Sequence, residues 1–177
     1  MKLFSKTGMA SLAFASLFAL FIAPARPQDR DDLTLRARLI SFNQVPSVLS
    51  AARGLFEAKI NDDGTIAFKL SYANMSSPVV QAHIHFGQSR TNGGVAVFLC
   101  GGAKPACPAS GTVTGTITAA DVSTLPATNG DSVIPQGIAP ADLAGLIMAI
   151  RTGSTYINVH STMFPSGEIR GQVEVDQ

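Results

Sequence analysis

The chain reads as all-β: a sandwich or small barrel of about eight short antiparallel strands, with one helix before the penultimate strand. Three observations predict this. Apolar residues recur mostly with a period of two. Clusters of Gly, Pro, Asn and Asp punctuate the alternating runs. Beyond the N-terminal region a helical period occurs once, near residues 140–151.

Residues 1–25 stand apart from that pattern. Lys2 and Lys6 make a positive start, Met9 to Ala23 is almost entirely apolar, and Ala23-Pro24-Ala25 offers small residues for cleavage. This is the layout of a secretory signal peptide. The apolar stretch falls short of the about 20 residues a membrane span needs and contains Ser11 and Ser16. The expectation is an exported protein, periplasmic or extracellular, with no transmembrane anchor. A short linker at 26–32 would precede one domain at 33–175.

The elements follow in order. Leu33, Leu35, Ala37 and Leu39 alternate with Thr34, Arg36 and Arg38 in a first strand. Phe56, Ala58 and Ile60 mark a second, and Ile66, Phe68, Leu70 and Tyr72 a third. Asn61-Asp62-Asp63-Gly64 between them is a tight-turn sequence, so these two strands form a hairpin. A fourth runs from about Val79 to Phe86, with Val80, Ala82, Ile84 and Phe86 on its apolar face and Val79, Gln81, His83 and His85 on the other. Val95 to Leu99 is an apolar run suited to a buried strand. Val113, Gly115 and Ile117 alternate with threonines in the next. Residues 121–140 are the least regular part. A helix is expected from about Pro140 to Arg151, with Leu143, Leu146, Ile147 and Ile150 on one face and Gly153 as its stop. Thr155 to His160 and Glu168 to Val175 complete the set, joined by a hairpin loop at 163–167.

Charge is sparse. Taking Lys2 and Lys6 from the 13 basic residues leaves 11 against 12 acidic ones. No basic cluster of the kind nucleic-acid binding requires is present in the sequence. Cys100 and Cys107 are the two cysteines, and an exported chain offers them one intramolecular pairing, a disulfide stapling a local loop. Free thiols or metal ligands are the alternatives, and no histidine lies near them in sequence.

The three histidines carry the most chemistry. His83 and His85 share a strand face, and His160 ends another strand. Two readings fit. Neutral imidazoles converging on one point can hold zinc or copper and leave a fourth position open. Alternatively, the histidines with Gln81 and Asn158 form a hydrogen-bonded polar strip. Glu168 and Arg170 lie two apart on the last strand. Glu168 can reach the histidines if its strand pairs with the one ending at His160. Arg170 can clamp an acidic ligand, or anchor a loop carbonyl or an ion-pair partner. Gly167 and Gly171 suit turn geometry and close packing. No Gly-x-Ser-x-Gly elbow, phosphate-cradling loop or acid/base carboxylate pair is present in the sequence.

Several segments together resemble one known family. They are NQVPSV (43–48), the DDGT turn (62–65), AHIHFG (82–87), LIMAIRTGSTYINVHS (146–161) and FPSGEIRGQV (164–173). In this order they resemble the CHRD (chordin) domain. The resemblance implies an immunoglobulin-like β-barrel with a distant likeness to the copper-zinc superoxide dismutase fold. AHIHFGQSRTNGG looks like the dismutase His-x-His strand and the loop after it. No further histidine follows between 87 and 131, where a dismutase supplies bridging and zinc ligands, so that enzyme is not implied as a whole. Nor is growth-factor antagonism, which in chordin-like proteins uses cysteine-rich modules. The leading expectation is a non-enzymatic, exported binding or envelope-associated β-domain with an extracellular or envelope partner. The alternative is a copper- or zinc-binding protein using His83, His85 and His160, with redox capacity if copper is the ion.

Overall fold

A computed structural model describes residues 33–109 and 111–176. The expected signal peptide and the 26–32 linker lie outside the described residues. One antiparallel sheet, curled into a nearly closed barrel, carries the fold. Its strands are β1 (Thr34–Ile40), β2 (Arg53–Ile60), β3 (Ile66–Ala73), β4 (Val79–Phe86), β5 (Gly94–Cys100), β6 (Gly111–Ile117), β7 (Thr155–Ser161), β8 (Ile169–Gln172) and β9 (Glu174–Asp176). The order across the sheet is β5-β4-β7-β8-β1-β2-β3-β6, with β9 pairing beside β1.

Period-two alternation decides which side chains fill the barrel. Leu35, Ala37 and Leu39 of β1, Phe56 and Ala58 of β2, and Ile157 and Val159 of β7 all point inward and are buried. The β2–β3 hairpin pairs without slippage from Ile60↔Ile66 to Arg53↔Ala73. Its turn closes with Thr65 N–H donating to the Asp63 carboxylate at 2.9 Å and with Gly64 at φ +81°.

Strand β4 departs from strict alternation. Its pairing with β7 shifts register between Val79 and Gln81. One residue is thereby added to the strand, and the two valines exchange faces. Val79 is 8% exposed and belongs to the core, whereas Val80 is 41% exposed. The expected places of these two residues are thus reversed, while Ala82 and Ile84 face the core as expected.

The helix, α1 (Leu143–Arg151), begins three residues later than Pro140. Asp142 sets its start, because its carboxylate accepts from the Gly145 N–H at 2.8 Å. Gly153, at φ +68°, follows its end as expected. The final strand is split at Val173, whose N–H donates to the Thr155 carbonyl at 2.9 Å. Both halves pair with β1, β8 at Ile40↔Arg170 and β9 along Thr34 to Arg36.

The irregular stretch at 121–140 is packed along the open edge of β5. Val95 bridges to Ser132 and Val97 to Val122. The Gly94 N–H donates to the Gln136 side chain at 2.6 Å, and the Ser123 N–H to the Ala96 carbonyl at 2.8 Å. Val122, Val133 and Ile138 are buried in the core. Each such side chain contributes about 1.5–3 kcal/mol, enough to hold a segment with little regular structure. An edge strand that would otherwise offer unpaired backbone is thereby covered. At the far end of β5, Cys100 and Cys107 stand in disulfide geometry with Cα atoms 5.0 Å apart.

Candidate metal centre

The site lies on the outer face of the sheet, where β5, β4, β7 and β8 run side by side. Pairing brings Gln81 opposite His160, His83 opposite Asn158, and His85 opposite Tyr156. On this face His160 sits diagonally across from His83, within side-chain reach. On β8, Arg170 lies opposite Asn158 and Gln172 opposite Tyr156. The His83 and His160 ring centroids are 4.9 Å apart, and those of His83 and His85 are 5.4 Å apart.

Each histidine presents one ring nitrogen within 4.8 Å of the other two. Three ligands around one ion with bonds of about 2.0–2.1 Å stand about 3.4–3.6 Å apart in tetrahedral or trigonal geometry. Drawing the farthest nitrogens together by about 1 Å brings all three onto one ion.

Although they point away from the barrel core, the three rings are enclosed. His83 is 3% exposed, His85 7% and His160 6%. Two loops provide the cover. The β4–β5 loop brings the Gly93 carbonyl to Nδ1 of His85 at 2.9 Å. The β7–β8 loop brings the Pro165 carbonyl to Nδ1 of His160, also at 2.9 Å. A carbonyl can only accept, so each Nδ1 carries the proton and each Nε2 keeps its lone pair. Those Nε2 atoms, and both nitrogens of His83, are buried with no protein hydrogen-bond partner. The Phe98 ring packs edge-on to His83 at 4.4 Å.

Residues 35–173 match the CHRD domain family. The chain belongs to this family. Among curated proteins and among solved structures, nothing matches it.

The environment of this CHRD domain keeps the imidazoles uncharged. Burial pushes the His83 pKa down to about 2, with His160 and His85 adding repulsion. Burial also pushes His85 down to about 4, against the favourable Gly93 carbonyl. His160 is lowered for the same reason, with the Pro165 carbonyl and Asp131 opposing. Neutral imidazole is the form that ligates metal.

The other expected residues have distinct places. Asn158 does not bond the histidines in a polar strip: it accepts from Gln44 Nε2 at 2.6 Å. Glu168 is fully buried and turned to another partner, accepting from the Ser76 N–H at 2.9 Å and the Ser76 hydroxyl at 2.6 Å. Burial works to raise its pKa, but hydrogen bonds from Ser161 and Ser76 hold it below the usual carboxylate value. Although β8 does pair with β7, Glu168 is not among the grouped ligands. Arg170 anchors loop carbonyls, donating to Gln88 O at 3.0 Å and Thr91 O at 2.7 Å. Its guanidinium carbon also lies 3.4 Å from the centre of the Tyr156 ring.

Gly167, at φ +118°, is required by the site. A Cβ there would come within 2.5 Å of Asn158 Oδ1 and 2.7 Å of Gln44 Nε2. Gly171 answers to close packing, with the Arg38 carbonyl 2.4 Å from where a Cβ would stand.

Sequence reasoning missed Tyr156, Phe98, Gln44 and Gly93 as parts of the site. Tyr156 was within reach of that reasoning, since it precedes Asn158 and His160 at a spacing of two. Gln44 and Gly93 come from loops, which carry no period to read. Among the described residues no helix is long and apolar enough to cross a membrane.

Proposed function

We propose that this CHRD domain is an exported metal-binding module that holds one copper or zinc ion through His83, His85 and His160. The observation that carries the reading is the set of buried ring nitrogens without a protein partner. An unsatisfied buried polar atom costs about 1–3 kcal/mol, and these belong to three residues whose ligand atoms lie within 4.8 Å of one another. A metal ion would satisfy them together. The carbonyls on His85 and His160 support it as outer partners that fix ring orientation. A binding role assigns no catalytic residue. Export rests on the N-terminal sequence and on the cysteine pair in disulfide geometry.

The test is metal analysis of protein purified without a His tag, loaded with copper or zinc and desalted. About one equivalent is expected in the wild type, and its loss is expected in His83→Ala that still shows a β-rich circular dichroism spectrum. Absence of metal from the loaded wild type, or undiminished metal in the variant, overturns the proposal. N-terminal mass analysis of the secreted product, expected to begin near Arg26, tests export.

A second reading, a binding module for an acidic group, is supported by a cleft of about 740 Å³ whose charged lining is Arg38, Arg90 and Arg170 against one carboxylate, Glu174. Titration with a small polyanion such as citrate, against Arg38→Ala and Arg90→Ala, tests it. Equal binding by wild type and variants removes it.

A further inference from the structure

The charge balance of the histidine pocket distinguishes between metal ions. All three grouped donors are neutral, and among the described residues no carboxylate or thiolate joins them. Glu168 is committed to Ser76. The cation of Arg170 stands behind His85 across the Tyr156 ring. The carboxylate whose field reaches His160, that of Asp131, is exposed to solvent. The rings themselves are at most 7% exposed.

An ion entering this pocket therefore loses most of its hydration and meets no compensating negative charge. The cost of burying an ion rises with the square of its charge, so a divalent ion pays about four times what a monovalent one does. Zinc in addition takes four ligands, and an open site completes the set with water. Three neutral nitrogens in a closed pocket suit monovalent copper, which accepts two or three donors and needs no fourth.

We infer that the pocket is selective for monovalent copper over divalent zinc and divalent copper. The inference rests on the metal-binding reading above and narrows it to one ion and one charge state. Asn158 provides a way to reverse the preference. It lies opposite His83 on the same face and is buried. Asn158→Asp keeps its size and its acceptor for Gln44, gives up the long Nδ2 contact to the Ser166 carbonyl at 3.5 Å, and adds the missing negative charge.

The experiment is a competition on untagged protein, with Cu(I) supplied anaerobically through a chromophoric Cu(I) chelator and Zn(II) and Cu(II) supplied as chlorides in separate arms. The wild type is expected to bind Cu(I) about 100-fold or more tighter than Zn(II), and to give no cupric electron paramagnetic resonance signal after loading. In Asn158→Asp the ratio is expected to move toward zinc by about tenfold. Binding of neither ion overturns the metal-binding reading, and this inference with it. Preferential binding of zinc or of divalent copper by the wild type overturns this inference and leaves the metal-binding reading standing. An unchanged ratio in a folded Asn158→Asp also overturns it. The wild-type competition decides the matter even where the variant does not fold.

Discussion

His85 and Tyr156 lie face to face, ring centroids 4.7 Å apart and planes within 3° of parallel. They are register partners on neighbouring strands. Arg170, one strand further on, closes the row against the tyrosine ring. The backbone of Gly93 joins the same assembly: its carbonyl meets His85 and its N–H donates to the Tyr156 hydroxyl at 3.2 Å. Tyr156 therefore fixes a histidine from its face and, through the loop, from its edge.

Tyr156→Phe keeps the stack and loses the hydroxyl contact, so a loss of about 1 kcal/mol of stability is expected. Tyr156→Leu loses the aromatic face as well, and about 2–4 kcal/mol is expected. Urea unfolding of the two variants measures this. Metal affinity should fall further in Tyr156→Leu than in Tyr156→Phe, since only the former frees the His85 ring.

Arg170 holds the β4–β5 loop by its carbonyls at Gln88 and Thr91. Arg170→Met should raise amide exchange across residues 88–93 and destabilise the domain by about 2–4 kcal/mol. Arg170→Lys should recover only part, because an ammonium cannot reproduce the planar fork. Exchange mass spectrometry in the metal-free state reads both. Unchanged exchange in 88–93 for Arg170→Met would show that the loop is held by other contacts.

Metal-free protein should lose stability as acid is added. Above pH 6.5, the ordinary histidine value, native and unfolded chains both hold neutral imidazoles and burial carries no protonation cost. Below it the unfolded chain takes up protons, while native His85 resists until about pH 4 and native His83 until about pH 2. The unfolded state then binds more protons, so stability falls as pH drops through this window. Urea midpoints should be level above pH 6.5 and decline below it. His83→Phe should make the decline shallower. A decline of equal slope in that variant would assign the acid sensitivity to other groups.

Gly167→Ala places a side chain at φ +118° and against Asn158 and Gln44. A loss of about 2–3 kcal/mol is expected. The same loop carries the Pro165 carbonyl that orients His160, so metal affinity should fall with stability. Thermal unfolding in the presence and absence of metal separates the two effects, because a ligand adds stability only in proportion to its binding.

Much of the barrel was readable from alternation. The β2–β3 hairpin, the helix and both histidine strands stand where period and turn residues place them, because burial on one sheet face forces every second residue to be apolar. Alternation loses its meaning where the backbone departs from regularity. Nothing in Val79-Val80 announces the added residue that exchanges their faces, because two valines satisfy either face equally. The helix start moved because a capping carboxylate outweighed a proline suited to a first turn. The 121–140 segment read as a loop, and its three buried anchors are too widely spaced to show a period.

The all-β class, the strands that carry His83, His85 and His160, and membership of the CHRD family are legible in the order of residues alone. Those follow from local periodicity and from ordered motifs, both properties of neighbouring residues. The folded chain alone sets β4 beside β7 and so brings the three rings together. It also decides that loops bury a face which alternation marks as outward, and that Glu168 turns to Ser76. Strand adjacency and loop cover are set by contacts between residues far apart in the chain, which no local pattern records.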